Sequence, residues 1–238
     1  MVGDTGQGIS AQRRTRADGE RTRAAILRAA ASLATVDGLE GLSIGHLAAA
    51  IGMSKSGLYA HFGSKQELQL ATVEEAGRIF AGEVVQPALA APQGLAQLAA
   101  VCEAFFDHLR RRTFPGGCFF AGAALEMGTR PGPVKERIVA FQSGFVALIR
   151  GFAVTAIEQK QLPAGEDPDR LAFELNGIIL AADASFVLQD DPAVLDLARQ
   201  VVHRRLGLDA RPDSGPPCHG TSQARPRRPA CGPVAVMD

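Results

Sequence analysis

Four side chains that can donate hydrogen bonds to phosphate oxygens are clustered in one short segment of the chain. They are Lys55, Tyr59, His61 and Lys65. The small residues Ser56 and Gly57 lie among them, so a helix carrying this segment can approach the edges of base pairs closely. In protein–DNA complexes phosphate donors fix the position of such a helix, and contacts to base edges select the sequence. The segment therefore predicts a surface that binds double-stranded DNA.

Two helices joined by a tight turn are needed to position this segment. Ser43 can cap the first helix, whose apolar residues recur at the spacing of one buried face: Ile44, Leu47, Ala48 and Ile51. Gly52 suits a left-handed turn, and Ser54 can cap a second helix over residues 55–62. The pattern predicts a helix-turn-helix whose second helix reads the major groove.

The residues that follow this motif resemble those of a known family. The pattern Leu58-Tyr59-x-His61-Phe62-x-Ser64-Lys65 resembles the TetR family of one-component transcriptional repressors, and the resemblance covers residues 20–70. It implies that Lys55, Ser56 and Gly57 lie over the bases, and that Tyr59, His61 and Lys65 hold phosphates. Ser43 and Gly45, at the start of the first helix of the motif, complete the predicted DNA-contacting set. Because family members often carry longer side chains at the positions of Gly45 and Gly57, base readout here rests on few groups.

The composition and charge distribution fit a helical DNA-binding protein. The chain has 238 residues, of which 46% are hydrophobic and 5% aromatic, with no tryptophan. Few segments show the alternation of β-branched residues that is typical of strands, so an all-α fold is expected. The net charge is zero, but residues 1–65 carry 8 basic and 5 acidic side chains, and residues 66–208 carry 13 and 17. A modestly basic head is therefore joined to an acidic body.

No feature of the sequence predicts export, a membrane span, a cofactor or a metal site. The N-terminus lacks a secretory apolar segment, and no uninterrupted apolar run approaches the length of a membrane span. We therefore expect a cytoplasmic protein without a membrane partner. The four cysteines lack the spacing of metal ligands or of a CxxC motif: Cys102, Cys118, Cys218 and Cys231.

One short match points to catalysis. Residues 41–45, Gly-Leu-Ser-Ile-Gly, fit the G-x-S-x-G pattern of hydrolases. That chemistry requires the serine on a sharp turn directly after a β-strand, whereas here the preceding residues form a helix that ends at Asp37-Gly38. Ser43 is therefore interpreted as a helix cap, and the hydrolase remains an unfavoured alternative.

The chain divides into four parts. Residues 1–19 and 209–238 are predicted to be disordered, because they lack apolar periodicity and are rich in Gly, Pro, Ser and Arg. Whether basic residues in these ends contact DNA stays open. Residues 20–65 form the predicted three-helix DNA-binding head, with its first helix over about 20–36. Residues 66–208 form a helical body, with helices predicted at about 64–85, 94–112, 118–127, 133–161, 168–189 and 192–206.

Phenylalanine is concentrated in the middle of the body. Such a cluster is ordinary core in most proteins, but the TetR resemblance implies a ligand cavity among these helices. The residues expected to line it are Phe105, Phe106, Leu109, Cys118, Phe119, Ala123, Glu126, Met127, Phe141 and Phe145. Glu126 is either the polar anchor of this cavity or part of an exposed turn. A small, mainly apolar effector is the expected ligand.

The last two helices carry apolar stripes that predict a homodimer interface. The expected interface residues are Leu171, Leu175, Ile178, Ile179, Ala182, Phe186, Val194, Ala198, Val201 and Val202. A single recognition helix spans too few base pairs for selective binding, and two-fold symmetry over a near-palindromic operator solves this. The alternative is that both stripes pack onto their own body.

The sequence thus predicts an all-α, TetR-like regulator with a helix-turn-helix head and a helical C-terminal ligand-binding and dimerisation domain. Its expected partners are an operator, a second copy of the chain and a small effector that releases the protein from DNA. A regulator switched by oxidation of Cys102 or Cys118, without a ligand, is the main alternative.

Overall fold

The computed structural model describes the backbone of residues 6–209 and the side chains of residues 19–209. These residues form ten α-helices and a π-helical turn, with no strand among them, which confirms the all-α prediction. The helices are α1 (Gly6–Asp37), α2 (Ile44–Ile51), α3 (Lys55–His61), α4 (Lys65–Phe80), α5 (Gln86–Ala90), α6 (Leu95–Arg110), α7 (Phe119–Met127), α8 (Pro133–Glu158), α9 (Pro168–Gln189) and α10 (Ala193–Arg205). The π-helical turn, Ala81–Val85, joins α4 to α5.

The first helix begins earlier than the sequence predicts, at Gly6 rather than near Glu20. The backbone of residues 6–19 is therefore helical where an unstructured arm is expected. The side chains of Arg13, Arg14 and Arg16 lie outside the described residues, and so does the predicted tail from residue 210 onward.

Serine caps define the helix-turn-helix as predicted. The hydroxyl oxygens of Ser43, Ser54 and Ser64 each accept a hydrogen bond from the backbone N–H three residues further on, at 3.1 Å. Each cap satisfies an N–H that has no partner within its helix. Gly52 ends α2 with φ 69°, a conformation that costs glycine little. The head closes around fully buried Leu47, Leu58 and Phe62, as the spacing predicts.

The body continues from α4 without the predicted break after Val85. The π-helical turn carries the chain into α5, where Pro87 lies in the first turn. Helices α6 and α8 pack on this long element, α9 packs on α6 and α8, and α7 lies between α1 and α8. One continuous apolar core extends from α1 to α10.

Helices α8 and α9 have large apolar surfaces outside this core. By length and composition alone, both are long and apolar enough to cross a membrane, a result that the core helices of soluble proteins also give. Only 22% of the most apolar window of α8 and 39% of that of α9 is buried within the described chain. The sequence criterion, an uninterrupted apolar run of membrane-span length, does not detect these helices because isolated polar residues interrupt them. An apolar surface of this extent is typical of an interaction site.

A buried carboxylate joins α9 to the start of α7. Asp183 Oδ1 accepts a hydrogen bond from the Cys118 backbone N–H at 2.9 Å, directly before α7. A side chain at Gly117 would clash with this carboxylate, since a Cβ there would lie 2.6 Å from Asp183 Oδ1, and Gly117 also has φ 90°. Burial raises the pKa of the Asp183 carboxyl from 3.8 to about 6, and the hydrogen bond from Cys118 only partly opposes this effect.

We expect Asp183→Asn to stabilise the protein near neutral pH. Because the pKa is raised in the folded state, Asp183 favours folding below pH 3.8, and this contribution is lost as the pH rises through about 6. The asparagine oxygen still accepts the Cys118 N–H but carries no charge. The difference in the free energy of unfolding between variant and wild type should shift by up to about 3 kcal/mol between about pH 4 and about pH 7.5. Urea unfolding at both pH values measures it, and a difference independent of pH would contradict the assignment.

Candidate DNA-binding surface and ligand cavity

The outer side of α3 presents the predicted DNA-contacting groups to solvent. Tyr59 is 57% exposed, and Lys55 is exposed and makes no hydrogen bond or ion pair with the described residues. Both groups are therefore free to bind phosphates or base edges. Ser56 is also exposed, with its hydroxyl 3.3 Å from that of Ser54. The contact roles of these residues remain predictions.

Local packing explains why positions 45 and 57 of the motif are glycine. A Cβ at Gly45 would lie 3.2 Å from Lys55 Cε, so Gly45 leaves space for the aliphatic stem of that lysine. A Cβ at Gly57 would lie 3.1 Å from Ser54 Oγ, the oxygen that accepts the Gly57 N–H. Gly45 therefore allows α2 and α3 to lie close together, and Gly57 leaves space for the Ser54 cap of its own helix.

A basic residue of α1, which the sequence analysis did not single out, supports the end of α3. Arg23 Nη1 donates a hydrogen bond to the carbonyl of His61 at 2.6 Å, and its guanidinium lies 4.4 Å from the centroid of the Phe62 ring. A cation at the C-terminal end of a helix also complements the helix dipole. Arg23 thus helps to position α3 through contacts at its C-terminal end. Nothing in the spacing of α1 distinguishes it from the other arginines of that helix.

Lys65 is not a free phosphate donor in this structure. Its Nζ donates to Glu40 Oε1 at 2.8 Å, and this hydrogen bond lowers the pKa of the Glu40 carboxyl. Arg130 approaches the same carboxylate at 3.6 Å, and Gln69 donates to it at 3.5 Å. Exposed ion pairs of this kind contribute about 1 kcal/mol or less, so a DNA phosphate can compete for Lys65. The predicted phosphate contact therefore requires exchange of an existing partner.

Glu126, one of whose two predicted roles is to anchor a ligand, lies outside the lining of the body cavity and joins the body to the head. Its two carboxylate oxygens accept hydrogen bonds from the backbone N–H groups of Leu39 and Glu40, at 2.7 and 2.9 Å. These residues belong to the loop between α1 and α2. Gly38, at φ 82°, starts the loop, and a Cβ there would lie 2.8 Å from Glu126 Oε1. We call this set of contacts the Glu126 junction.

An apolar cavity inside the body has a volume of about 450 Å³. Four of the predicted residues line it: Phe105, Cys118, Phe141 and Phe145. Its wall also includes residues of α4, the π-helical turn and α9 that the sequence analysis did not assign, chiefly Gly77, Phe80, Ala81, Val85, Asn176 and Ile179. A cavity of this size and character can hold a small apolar molecule.

Six predicted cavity residues lie elsewhere. Phe106 and Leu109 are buried in the core on another side of α6. Phe119, Ala123 and Glu126 recur at the i, i+4, i+7 spacing of one helical face, and that face is turned toward the end of α1. Met127 borders a smaller crevice against α8. The short α7 thus presents Cys118, Phe120 and Ala121 to the cavity and its other side to the head.

Phe80 is the central aromatic residue of the cavity wall. Its ring makes edge-to-face contacts with Phe105, Phe120 and Phe145, with centroids 6.1, 6.0 and 5.1 Å apart. These contacts link α4 to α6, α7 and α8. A ligand that displaces any of these rings therefore also pushes on α4.

The structure corrects most of the predicted dimer interface. Seven of its ten residues are buried within their own chain, namely Leu171, Leu175, Ile179, Ala182, Phe186, Ala198 and Val202. Ile178 and Val194 are partly buried, and only Val201 is exposed. Helix α9 is apolar on both sides, so periodicity identified a stripe that faces the core of its own chain. The exposed side of α9 carries Phe173 and Leu188, which are 78% and 85% exposed.

The two described cysteines are free and buried. Burial raises the pKa of both the Cys102 and the Cys118 thiol to about 12. Because the thiolate is the species that oxidants attack, both thiols are poorly suited to a rapid redox switch. Ser43 caps α2 and follows no strand, so residues 41–45 do not form a nucleophile elbow. No group of His, Cys, Asp or Glu within residues 19–209 could hold a metal ion.

Family models match both parts of the chain. Residues 26–72 match the model described as bacterial regulatory proteins, tetR family, and residues 94–202 match that of the tetracyclin repressor-like C-terminal domain. Together they cover roughly two thirds of the sequence. No curated protein matches the chain.

Solved structures with the same fold include several TetR-family regulators. One from Chloroflexus aurantiacus has 25% sequence identity and a TM-score of 0.74, over 80% of this chain and 96% of that one. Another, from Streptomyces coelicolor, has 23% identity and a TM-score of 0.67, over 79% and 94%. AibR in complex with isovaleryl coenzyme A and operator DNA has 25% identity and a TM-score of 0.61, over 76% and 97%.

Substitution of the free donors on α3 should weaken DNA binding. We expect Lys55→Ala and Tyr59→Ala each to cost about 1 kcal/mol or more of binding free energy per subunit, and Lys55→Ala also to reduce discrimination between operator variants. Each lost phosphate contact should lower the slope of log affinity against log salt by about 0.9. Gel-shift titrations at several salt concentrations, on a fragment identified by footprinting upstream of its own gene, provide the measurement.

Lys160→Gln is the matched control, because it removes an exposed positive charge from the body. It should leave both the affinity and the salt slope nearly unchanged. If the double variant Lys55→Ala/Tyr59→Ala bound the fragment as tightly as wild type, α3 would not be the recognition helix.

Proposed function

Because this chain belongs to the TetR family, we propose that it is a transcriptional repressor that binds a near-palindromic operator as a homodimer. A small, mainly apolar ligand in the body cavity releases it from DNA. The observation that carries this proposal is that α7 forms part of the cavity wall and also holds the head through the Glu126 junction. Acting on chromosomal DNA, the protein would work in the cytoplasm.

The neighbour AibR supports the pairing of ligand and operator in this fold. Its structure contains both isovaleryl coenzyme A and operator DNA. For the present chain, the body cavity is the proposed ligand site and the exposed α3 face is the proposed DNA surface. The cavity is lined mainly by aliphatic and phenylalanine side chains, so most of its binding free energy would come from apolar burial.

The exposed side of α9 is the proposed centre of the dimer interface. We define the outer face by its exposed apolar and small residues on α9 and α10: Phe173, Gly177, Leu180, Ala181, Ala184, Val187, Leu188, Leu197 and Val201. A Cβ at Gly177 would meet nothing within 4 Å, so the backbone of α9 is open to close approach by another helix. Pairing two copies through this face would bury apolar surface that a monomer leaves in water.

Two connections can transmit ligand binding to the head. Helix α4 follows α3 directly and contributes Gly77 and Phe80 to the cavity wall. Helix α7 contributes Cys118 and Phe120 to the same wall and holds the α1–α2 loop through Glu126. A ligand that separates α4 from α7 would therefore move the head relative to the body.

The energy required for release can be bounded. To shift a two-state population from 1:99 to 99:1, the ligand must favour the released state by about 5.5 kcal/mol. Two ligands per dimer would share this as about 2.7 kcal/mol each by halving the same figure. By reciprocity, saturating operator DNA weakens ligand binding by the same total.

Oxidation of cysteine is the second candidate mechanism. Both described thiols are buried with raised pKa values, which disfavours it relative to ligand release. Cys218 and Cys231 lie outside the described residues. Loss of operator affinity on mild oxidation, with recovery by a reductant, would favour this candidate instead.

The dimer proposal predicts that Ala184→Arg yields monomers. Ala184 is exposed in the middle of the outer face, so an arginine would place two charges in the buried centre of the interface. Light scattering of purified protein measures the mass. The matched control is Ala90→Arg, at an exposed position near the end of α5, which should remain dimeric. A monomeric wild type, or a dimeric Ala184→Arg, would contradict the assigned interface.

The coupling proposal predicts that Glu126→Gln retains ligand binding but loses much of the response to ligand. Glutamine has one acceptor oxygen where glutamate uses two, so its amide group would face one of the two loop N–H donors. Loss of a hydrogen bond to a charged group costs about 1.5–3 kcal/mol, which corresponds to at least about a tenfold change in coupling. Operator affinity is titrated with and without a saturating ligand found by thermal-shift screening of apolar compounds.

Glu158→Gln, at the exposed end of α8, is the control and should respond as wild type does. Release of wild type and Glu126→Gln by equal factors would exclude the Glu126 junction from the pathway. A wild-type operator affinity unchanged by every ligand that binds the cavity would contradict ligand release itself.

A further inference from the structure

The polar groups in the cavity wall restrict the chemistry of the ligand. Among the lining residues only Arg137, Gln142 and Asn176 have polar side chains apart from the Cys118 thiol. Whether each is available to a ligand depends on its present partners. Two of the three are engaged within the protein, and one is not.

The charge of Arg137 is compensated. Its Nε and Nη2 donate hydrogen bonds to the two carboxylate oxygens of Glu74, and the bond from Nη2 measures 2.8 Å. Its guanidinium also lies 4.3 Å from the centroid of the Phe141 ring. A two-pronged pair of this kind uses the donors that would otherwise bind a ligand carboxylate. The cavity therefore presents no uncompensated cation.

Gln142 is held by the backbone of α7. Its Nε2 donates to the Phe120 carbonyl at 2.8 Å, which fixes the orientation of the amide and connects α8 to α7. This bond gives Gln142 a structural role in the wall.

Asn176 is different. Its side-chain amide makes no hydrogen bond or ion pair with any of the described residues. The residue is partly buried on α9. Every fully buried side-chain nitrogen or oxygen atom of the described residues has a hydrogen-bond partner, so the unpartnered amide of Asn176 must still be accessible to solvent. It lies beside Ile179 and Leu180 in a wall that is otherwise apolar. An amide can donate and accept hydrogen bonds, and it carries no charge to balance a carboxylate.

On the basis of the proposed ligand-binding function, we propose that the cavity selects an uncharged, mainly apolar molecule whose hydroxyl, carbonyl or amide group bonds to Asn176. A ligand with a free carboxylate would bury its charge without a partner, which is unfavourable in an apolar site. A pure hydrocarbon would leave the Asn176 amide without a partner once the cavity closes around it. The neutral polar ligand avoids both costs.

A matched series of three probes tests this selectivity: 4-phenylbutanamide, 4-phenylbutanoic acid and butylbenzene. They share a phenyl ring and a short alkyl chain and differ in the terminal group. Calorimetric titration of the full chain near neutral pH should show the amide binding at least about tenfold more tightly than either of the others. Binding of the acid should improve when the pH is lowered toward its own pKa.

Variants identify the group responsible. Asn176→Leu should abolish the preference for the amide, because it weakens binding of the amide and removes the cost that butylbenzene pays for leaving the Asn176 amide without a partner. Asn176→Ala repeats the test if the leucine variant is unstable. Gln142→Met is the control: it removes an amide that is bound to Phe120, so it should lower the melting temperature but preserve the preference for the amide probe.

Three outcomes would overturn the proposal. The acid could bind most tightly and lose that advantage in Arg137→Gln, which would make Arg137 the anchor of an anionic ligand. The preference for the amide could persist in both Asn176 variants. The third outcome is that no probe binds even at millimolar concentration. Failure of the proposed function has a different result: the probes bind in the expected order of affinity, but none of them changes the affinity for the operator.

Discussion

The hydrogen bonds of one carboxylate determine how the DNA-binding head is attached to the body. Glu126 accepts the two backbone N–H groups of Leu39 and Glu40, which lie in the loop that orients α2. Hydrogen bonds to a charged acceptor are stronger than neutral ones, and loop N–H groups have no helical partner of their own. The positive φ of Gly38, and the space that its missing side chain leaves, allow the carboxylate to approach. Everything that α7 contacts can therefore influence the position of α2.

Local features of the fold could be predicted from the sequence because their causes are local. Ser43, Ser54 and Ser64 each cap the helix that directly follows, so residue type and spacing suffice to locate the motif. The Glu126 junction could not be predicted in this way, since Glu126 is 87 residues from Leu39 and 86 residues from Glu40 in the chain. The same applies to Arg23 and His61, which are 38 residues apart. Such contacts depend on how the helices pack, and periodicity does not encode that.

Helix α9 shows a second limit of pattern analysis. Its buried side includes Leu175 and Ile179, and its exposed side includes Phe173 and Leu188. Both sides are apolar, so an apolar stripe alone cannot distinguish the core of the subunit from a surface that pairs with another subunit. Asn176, in contrast, carries a signal that the sequence analysis did not use: its amide lies between Leu175 and Gly177 in a mainly apolar helix. A polar residue in such a position costs stability unless it has a partner, and this is the reason to look for one.

The cavity and the outer face share part of their boundary. Leu180 lines the cavity and is also exposed on the outer face, while Gly144 and Ala140 of α8 line the cavity and are open to solvent in the single chain. A second copy packed on this face would cover Leu180 and reduce the access of water to the cavity. Since an apolar ligand binds more strongly when its surface is more completely removed from water, pairing of the subunits and occupancy of the cavity would favour each other. A ligand would then change the geometry of an assembled dimer, and it would not need to separate the subunits to release DNA.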